Sequence, residues 1–261
     1  MTHSDIHELL EEHTDLCNRP DFIPSDPISV PHRFEKLQDI EIAGFWACTI
    51  AWGLRKTIIK SAMWAMELME FSPHEFVLHH SAQERKRFAK YYHRTFQPAD
   101  ALYFLEYLQH YYREHESLEE AFAKYLHDED ETVEPALRGF HRDFFSLPSA
   151  PARTRKHLPT PERNSACKRI NLFLRWMVRR DDRGVDFGLW RRIAPRQLVI
   201  PYDTHVQRVA LELGLIARKQ ADWKSALALT RTLRSFDEND PIRYDFALLH
   251  IGLLGGLQAM G

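Results

Sequence analysis

The sequence predicts an all-α protein, on three observations. Glycine is scarce, with 10 residues in 261. No segment shows the sustained apolar–polar alternation, bounded by turn residues, that half-buried strands carry. Apolar residues recur instead at helical spacing along most of the chain.

The elements follow in order. Ser4 can cap a first helix running through Leu16. The connector RPDFIPSDPISVPHRF is too punctuated by proline for regular structure. Asp39 to Trp52 is apolar nearly all round, which predicts a core helix, and Gly53 can end it. Further helices are expected over Lys56–Met69, Ala82–His93, Ala99–Glu114 and Leu118–Leu126. After the acidic loop HDEDETVEP comes a helix over Glu134–Phe145, then a second, basic connector, SLPSAPARTRKHLPTPERN. The helix SACKRINLFLRWMVRR, a loop with a short helix (RDDRGVDFGLWRRIAP), and a helix after Asp203 come next, then helices over Trp223–Ser235 and Pro241–Leu254. The connectors at 18–34 and 146–164 are the expected lobe boundaries. The N-terminal helix and first connector, 1–34, are set apart from a helical region, 35–261.

At 44% hydrophobic and 28% charged, the composition is that of an ordinary soluble protein. Cys17, Cys48 and Cys167 are widely spaced, so one chain can build neither a disulfide framework nor a four-cysteine zinc or iron–sulfur site. The start THSDIHELLEEH is polar and acidic, unlike a signal peptide, and no apolar run approaches the ~20 residues of a membrane span. The expectation is a cytoplasmic protein without metal or cofactor. The net charge of −2 hides an asymmetry: Pro151–Gln220 carries 16 Lys/Arg and 6 Asp/Glu, a balance of +10, which leaves −12 for the rest. A basic segment of this kind can face a polyanion, and it can equally be a solvated surface.

Two residues carry the chemistry. Asp203 stands directly before an amphipathic helix in IPYDTHVQRVALELGL, and Lys168 opens the helix that precedes it. A helix cap alone explains an Asp in that place. On helical spacing, Ile170, Phe173, Leu174 and Met177 form a buried stripe, and Lys168, Arg175 and Arg179 fall roughly opposite it in one basic row that can hold a DNA backbone. Trp176 flanks the stripe, where a tryptophan packs between helices or stacks on a base. A lysine nucleophile must first lose its proton, from an ordinary pKa near ~10.4. The positive end of a helix disfavours the ammonium by only ~0.3–1 kcal/mol, so desolvation has to do most of the work, with Arg169 nearby.

The sequence Asp203-Thr204-His205-Val206-Gln207-Arg208-Val209, with Lys168 upstream, resembles the catalytic segment of the helix-hairpin-helix DNA glycosylases, the endonuclease III superfamily. The resemblance is specific over residues 160–215, and IEIAGFWACTIAWGLRKTIIKSA resembles that fold's early core helices. The whole chain is similar to the bacterial family labelled domain of unknown function 2400, through DPISVPHRF, CKRINLFLRWMVRRDDRGVDFGLW and IPYDTHVQRV. The resemblance implies a two-lobed glycosylase-like fold and base-excision repair. Lys168 would form a Schiff base at the sugar C1′ of a flipped-out damaged nucleotide, with Asp203 assisting. Duplex DNA with a damaged base or abasic site is the implied partner, with no membrane, no iron–sulfur cluster, and a nucleoid association when acting. Arg169, Arg175, Arg179, His205 and Arg208 are the implied DNA contacts, and Trp52, Trp176, Asp26 and His32 the candidate base-pocket residues.

Two features depart from the superfamily. TPERNSACK contains no glycine where the usual hairpin reads Leu-Pro-Gly-Val-Gly-x-Lys, and 35 residues separate Lys168 from Asp203, more than in endonuclease III. The archaeal 8-oxoguanine glycosylases share both departures, which implies an oxidised purine as substrate by analogy. Two rival classes stand beside this one. A non-catalytic DNA-binding or adaptor protein could use the same scaffold. An HD-type metal phosphohydrolase is the other, for which His127-Asp128 and the 15 histidines are the motif.

Overall fold

A computed structural model describes residues 1–256 of the chain. They are helical throughout: the described residues contain no strand, only two isolated bridges. The chain divides into two compact units, one of residues 1–22, 127–134 and 160 onward, the other of residues 23–126 and 135–159. The crossings at 22/23 and 159/160 fall inside the two proline-rich connectors.

The first unit opens with α1 (His3–Cys17), capped by Thr2 rather than Ser4. Thr2 and Asp5 satisfy each other's backbone N–H in a capping box, the arrangement that best meets the unpaired donors of a helix start.

In the second unit the first connector is not irregular. It forms three 3-10 turns, Pro20–Ser25, Pro27–Ser29 and Pro31–Arg33, each begun by the proline whose missing N–H costs nothing there. α2 (Leu37–Thr49) is buried on nearly every side, as its all-round apolar sequence requires. Its one charged buried residue, Glu41, accepts from the Tyr112 and Ser117 hydroxyls and the Leu118 N–H, so its carboxylate is satisfied inside the core. α3 (Arg55–Leu68) follows, then α4 (Pro73–His79), which the sequence pattern did not reveal. α5 (Ala82–Arg85) is a single turn that tightens into a 3-10 segment, so the helix expected over 82–93 is broken. α6 (Pro98–Tyr112), α7 (Glu119–Ala123) and α8 (Glu134–Phe144) complete the set. Phe45, Phe104, Tyr107, Phe140 and Phe144 stack and edge together at the centre.

The first unit resumes with α9 (Lys168–Val178), α10 (Thr204–Glu212), α11 (Trp223–Arg234) and α12 (Asp245–Leu253). α12 packs against both α1 and α10. The short helix expected between α9 and α10 is reduced to a 3-10 turn at Pro195–Gln197, and the residues before it form no helix. Those residues fold back on α9, so the N–H groups of Phe187 and Gly188 meet the Trp176 carbonyl and that of Trp190 meets the Met177 carbonyl. Gly188 allows the return: its φ is +56°, and a Cβ there would stand 2.8 Å from the Arg179 carbonyl oxygen. The fold-back delivers Asp186 to the C-terminal half of α9.

Candidate active site

Lys168 is the first residue of α9, and Asp203 is the N-cap of α10. One oxygen of Asp203, Oδ1, accepts from the N–H groups of His205 (2.9 Å) and Val206 (3.0 Å). The other, Oδ2, lies 3.3 Å from Lys168 Nζ. The lysine side chain is 34% exposed and the aspartate 22%, so the pair is rooted in the fold yet open to a ligand. The carboxylate therefore does two things at once, holding a helix start and facing an amine.

The segment before α9 reaches its conformation without glycine. Asn164 and Cys167 take left-handed backbone angles, φ +53° and +52°. Asparagine tolerates this region, and cysteine does so at some cost. The bracing comes from Asp222, the cap of α11: Ser165 bridges to it, and its Oδ2 accepts from the Asn164 amide at 3.1 Å. The hydrogen bonds of Arg218 keep the Asp222 carboxyl well below the usual carboxylate range, so it stays an acceptor. No side chain caps α9. The thiol beside Lys168 is no rival nucleophile, because burial pushes Cys167 up to about 12.

Arg175 and Arg179 do share the Lys168 face of α9, but the expectation that this row meets solvent is corrected. Arg175 is 1% and Arg179 2% exposed. Arg175 binds Asp245 and, at 3.2 Å, Asp186. Arg179 binds Asp181 (2.6 Å), Asp186 (3.1 Å) and Asp240 (2.9 Å). The row is real, but only its first member reaches the surface. The fold-back segment and α12 cover the others, so neither guanidinium is available to a phosphate. Asp245 is fully desolvated, which raises its carboxyl to about 6 against the pull of Arg175, and it also feels the charges of Asp203 and Lys168. The Lys168–Asp203 pair thus sits on a buried lattice of alternating charge.

Other expected site residues fall elsewhere. Trp176 is wholly buried, which removes it as a base-stacking surface and leaves it a packing residue of α9. Arg169 is half-buried on the first turn of α9, and His205 is exposed on that of α10. Arg208, also exposed, donates to the Gly252 carbonyl at 2.7 Å, closing the end of α12. Asp26, His32 and Trp52 belong to the other unit. Asp26 caps a 3-10 turn through Ile28 N–H, His32 is half-buried, and Trp52 stacks on His157 with centroids 5.7 Å apart. Of the expected site residues in this unit, the structure brings Lys168 and Asp203 into contact. Asp186 and Asp245 were not anticipated. The one signal for Asp245 is an acid opening the otherwise apolar run DFALLHIGLL, and for Asp186 it is the glycine-flanked run of acids after α9.

His127 and Asp128, the phosphohydrolase motif, are both exposed. Among the described residues no three His, Cys, Asp or Glu are grouped to hold a metal ion. No helix among them is long and apolar enough to cross a membrane.

A family model described as Protein of unknown function (DUF2400) matches residues 26–254. No curated protein and no solved structure matches the chain.

Proposed function

The chain belongs to the DUF2400 family, and we propose that it is a DNA base-excision glycosylase with lyase activity, built on a helix-hairpin-helix glycosylase-like scaffold. The observation that carries this reading is the 3.3 Å approach of Lys168 Nζ to Asp203 Oδ2 at the starts of two helices. Asp203 Oδ2 takes a proton from the ammonium, and the free amine attacks C1′ of a flipped-out nucleotide. The C1′–N bond breaks, its electron pair leaves with the base, and the base is protonated from solvent. Ring opening gives an iminium between Lys168 and C1′. Loss of a proton from C2′ then expels the 3′ phosphate, and water hydrolyses the imine. Asp203 passes that proton on to solvent and, ionised again, stabilises the cationic iminium that follows. Oxidised purine is the substrate class this reading favours, by the superfamily analogy.

The uncapped start of α9 supports the same reading, because a helix N-terminus attracts an anion such as a DNA phosphate. Strand cleavage across duplexes that each carry one lesion tests it. Cleavage confined to one lesion class, and lost in Lys168→Gln, is the expected result. Uncut duplexes throughout would remove the enzyme reading.

The burial of Arg175 and Arg179 favours a second reading, a non-catalytic DNA-binding scaffold, because two of the five implied DNA contacts serve the core instead. Lesion-independent binding without cleavage would establish it.

A further inference from the structure

The charges of the second unit are sorted by place. Residues 42–66, 85–99 and 144–159 hold 11 Lys/Arg and no Asp/Glu, while the rest of that unit holds 6 Lys/Arg against 15 Asp/Glu. Solvated surfaces usually intersperse the two signs. The fold gathers the three acid-free stretches instead of spreading them.

The chain from Arg87 to Arg94 lies antiparallel along α3. Arg87 pairs with Glu70 just past the end of that helix. The Tyr91 ring meets Trp64 with centroids 5.1 Å apart, and the Tyr91 hydroxyl donates to the Ser61 carbonyl at 3.1 Å. His93 Nδ1 stands 2.9 Å from the Ser61 hydroxyl. The Arg94 guanidinium then lies against Gly53, where a Cβ would stand 2.5 Å from Nη1. The third stretch joins through Arg153, which donates to the Thr95 carbonyl at 3.2 Å, and through His157, on which Trp52 stacks.

Lys56, Lys60 and Trp64 follow at i, i+4 and i+8, one row of α3. Lys56 and Lys60 are exposed, as are Lys86, Lys90 and Arg94, and none of the five forms an ion pair among the described residues. Rings stand beside these cations. Tyr92 is 63% exposed, and its ring is edge-on to half-buried Trp64 with centroids 6.1 Å apart. Arg94 holds φ +53° in the tight turn His93–Phe96, a left-handed angle that is costly for arginine. Glycine would suit that angle better, so the backbone does not explain the arginine.

Unpaired cations with aromatic rings beside them match a strand that offers one phosphate and one base face per nucleotide. A duplex hides those faces, and an acidic peptide offers charge without regular rings. One exposed aliphatic side chain, Leu54, adjoins the strip, too little for a lipid-facing surface. We propose that this strip of the second unit binds single-stranded nucleic acid. Lys56, Lys60 and Arg94 hold phosphates, and a base stacks on Tyr92 beside Trp64. The strip does not include Lys168, and its occupancy is independent of any reaction there.

Fluorescence anisotropy of the full chain tests the proposal, with labelled oligo(dT) and oligo(U) of about 12 nucleotides as probes. A blunt DNA duplex and cosedimentation with phosphatidylglycerol vesicles are the controls. At least one oligonucleotide should bind saturably, and Tyr92→Ala should weaken it about tenfold. Tyr92→Phe, which keeps the ring, should bind as wild type does. Lys60→Ala should lower the log–log salt slope by about 0.7, whereas Tyr92→Ala should leave the slope unchanged. Arg94→Gly should weaken binding without lowering the melting temperature, because glycine accepts the left-handed angle. Every readout is binding alone, so failure here is told apart from failure at Lys168. No saturable binding of either oligonucleotide, binding indifferent to Tyr92→Ala, a duplex that loses as much affinity to Tyr92→Ala, or binding to the vesicles alone would overturn the proposal.

Discussion

Lys168 and Asp203 face each other at the starts of two helices, with Nζ 3.3 Å from Oδ2, while the second oxygen of the same carboxylate caps α10. The cap and the ion pair are separable functions of one side chain, and substitution can part them.

Asp203→Asn keeps an oxygen for the His205 and Val206 N–H groups, so the cap survives. The lost ion pair is partly exposed and contributes only about 0–1 kcal/mol after solvent screening. Chemical denaturation should therefore show little change, whereas base excision should fall by orders of magnitude. Asp203→Ala should cost about 1 kcal/mol more, the cap itself. Equal activity in wild type and Asp203→Asn would reduce Asp203 to a cap.

Arg175→Ala should act on stability rather than on DNA. It strands Asp245 in the interior without its guanidinium and leaves Asp186 to Arg179 alone, and breaking a buried pair in this way costs about 3–5 kcal/mol. Arg179→Ala should behave likewise, through Asp181, Asp186 and Asp240. Urea midpoints measure this. Variants as stable as wild type but weaker on DNA would restore the arginines to the surface.

Burial raises the Asp245 carboxyl to about 6, above its ordinary 3.8. The folded state then holds the proton more tightly than the unfolded chain, so its contribution to stability is complete below about pH 4. It is lost as pH rises through about 6. Asp245→Asn cannot titrate, so wild-type stability relative to this variant should fall across that window, by up to ~3 kcal/mol. Melting curves from pH 4 to pH 7 test it, and a difference that stays flat would place Asp245 in an ordinary polar setting.

DNA binding, on the proposed reading, rests on basic residues other than the buried row. Exposed Arg163 lies just before α9, and exposed Lys219 accepts a hydrogen bond from Gln207 of α10 at its carbonyl. Each substitution to Ala should lower the log–log salt slope of duplex binding by about 1. A slope untouched by both would move the DNA-facing surface elsewhere.

The sequence made the helical class and the central pair legible because both are local. α9 and α10 announce themselves by period and by an N-cap acid, and Lys168 and Asp203 stand at their first turns. The environment of α9 was not local. Period placed Arg175 and Arg179 on one face correctly, but whether that face meets water depends on Asp245, 70 residues after Arg175, and on the return of the chain at Gly188. The left-handed turns at Asn164 and Cys167 were hidden for a related reason: glycine is the usual sign of such turns, and the bracing here comes from Asp222, far along the chain. The 3-10 turns of the first connector escaped because proline reads as a breaker in the long pattern, although it suits the first position of a short helix.

The central claim is that Lys168 bonds covalently to DNA, and borohydride trapping measures it most directly. Reduction converts an imine between Lys168 and C1′ into a stable amine, so a protein–DNA adduct should survive denaturation on an abasic, 8-oxoguanine or oxidised-pyrimidine duplex. The adduct should be absent in Lys168→Gln, whose fold is preserved because the side chain lies at the exposed start of α9. No adduct on any of the three duplexes, or the same adduct in Lys168→Gln, would contradict the lyase mechanism.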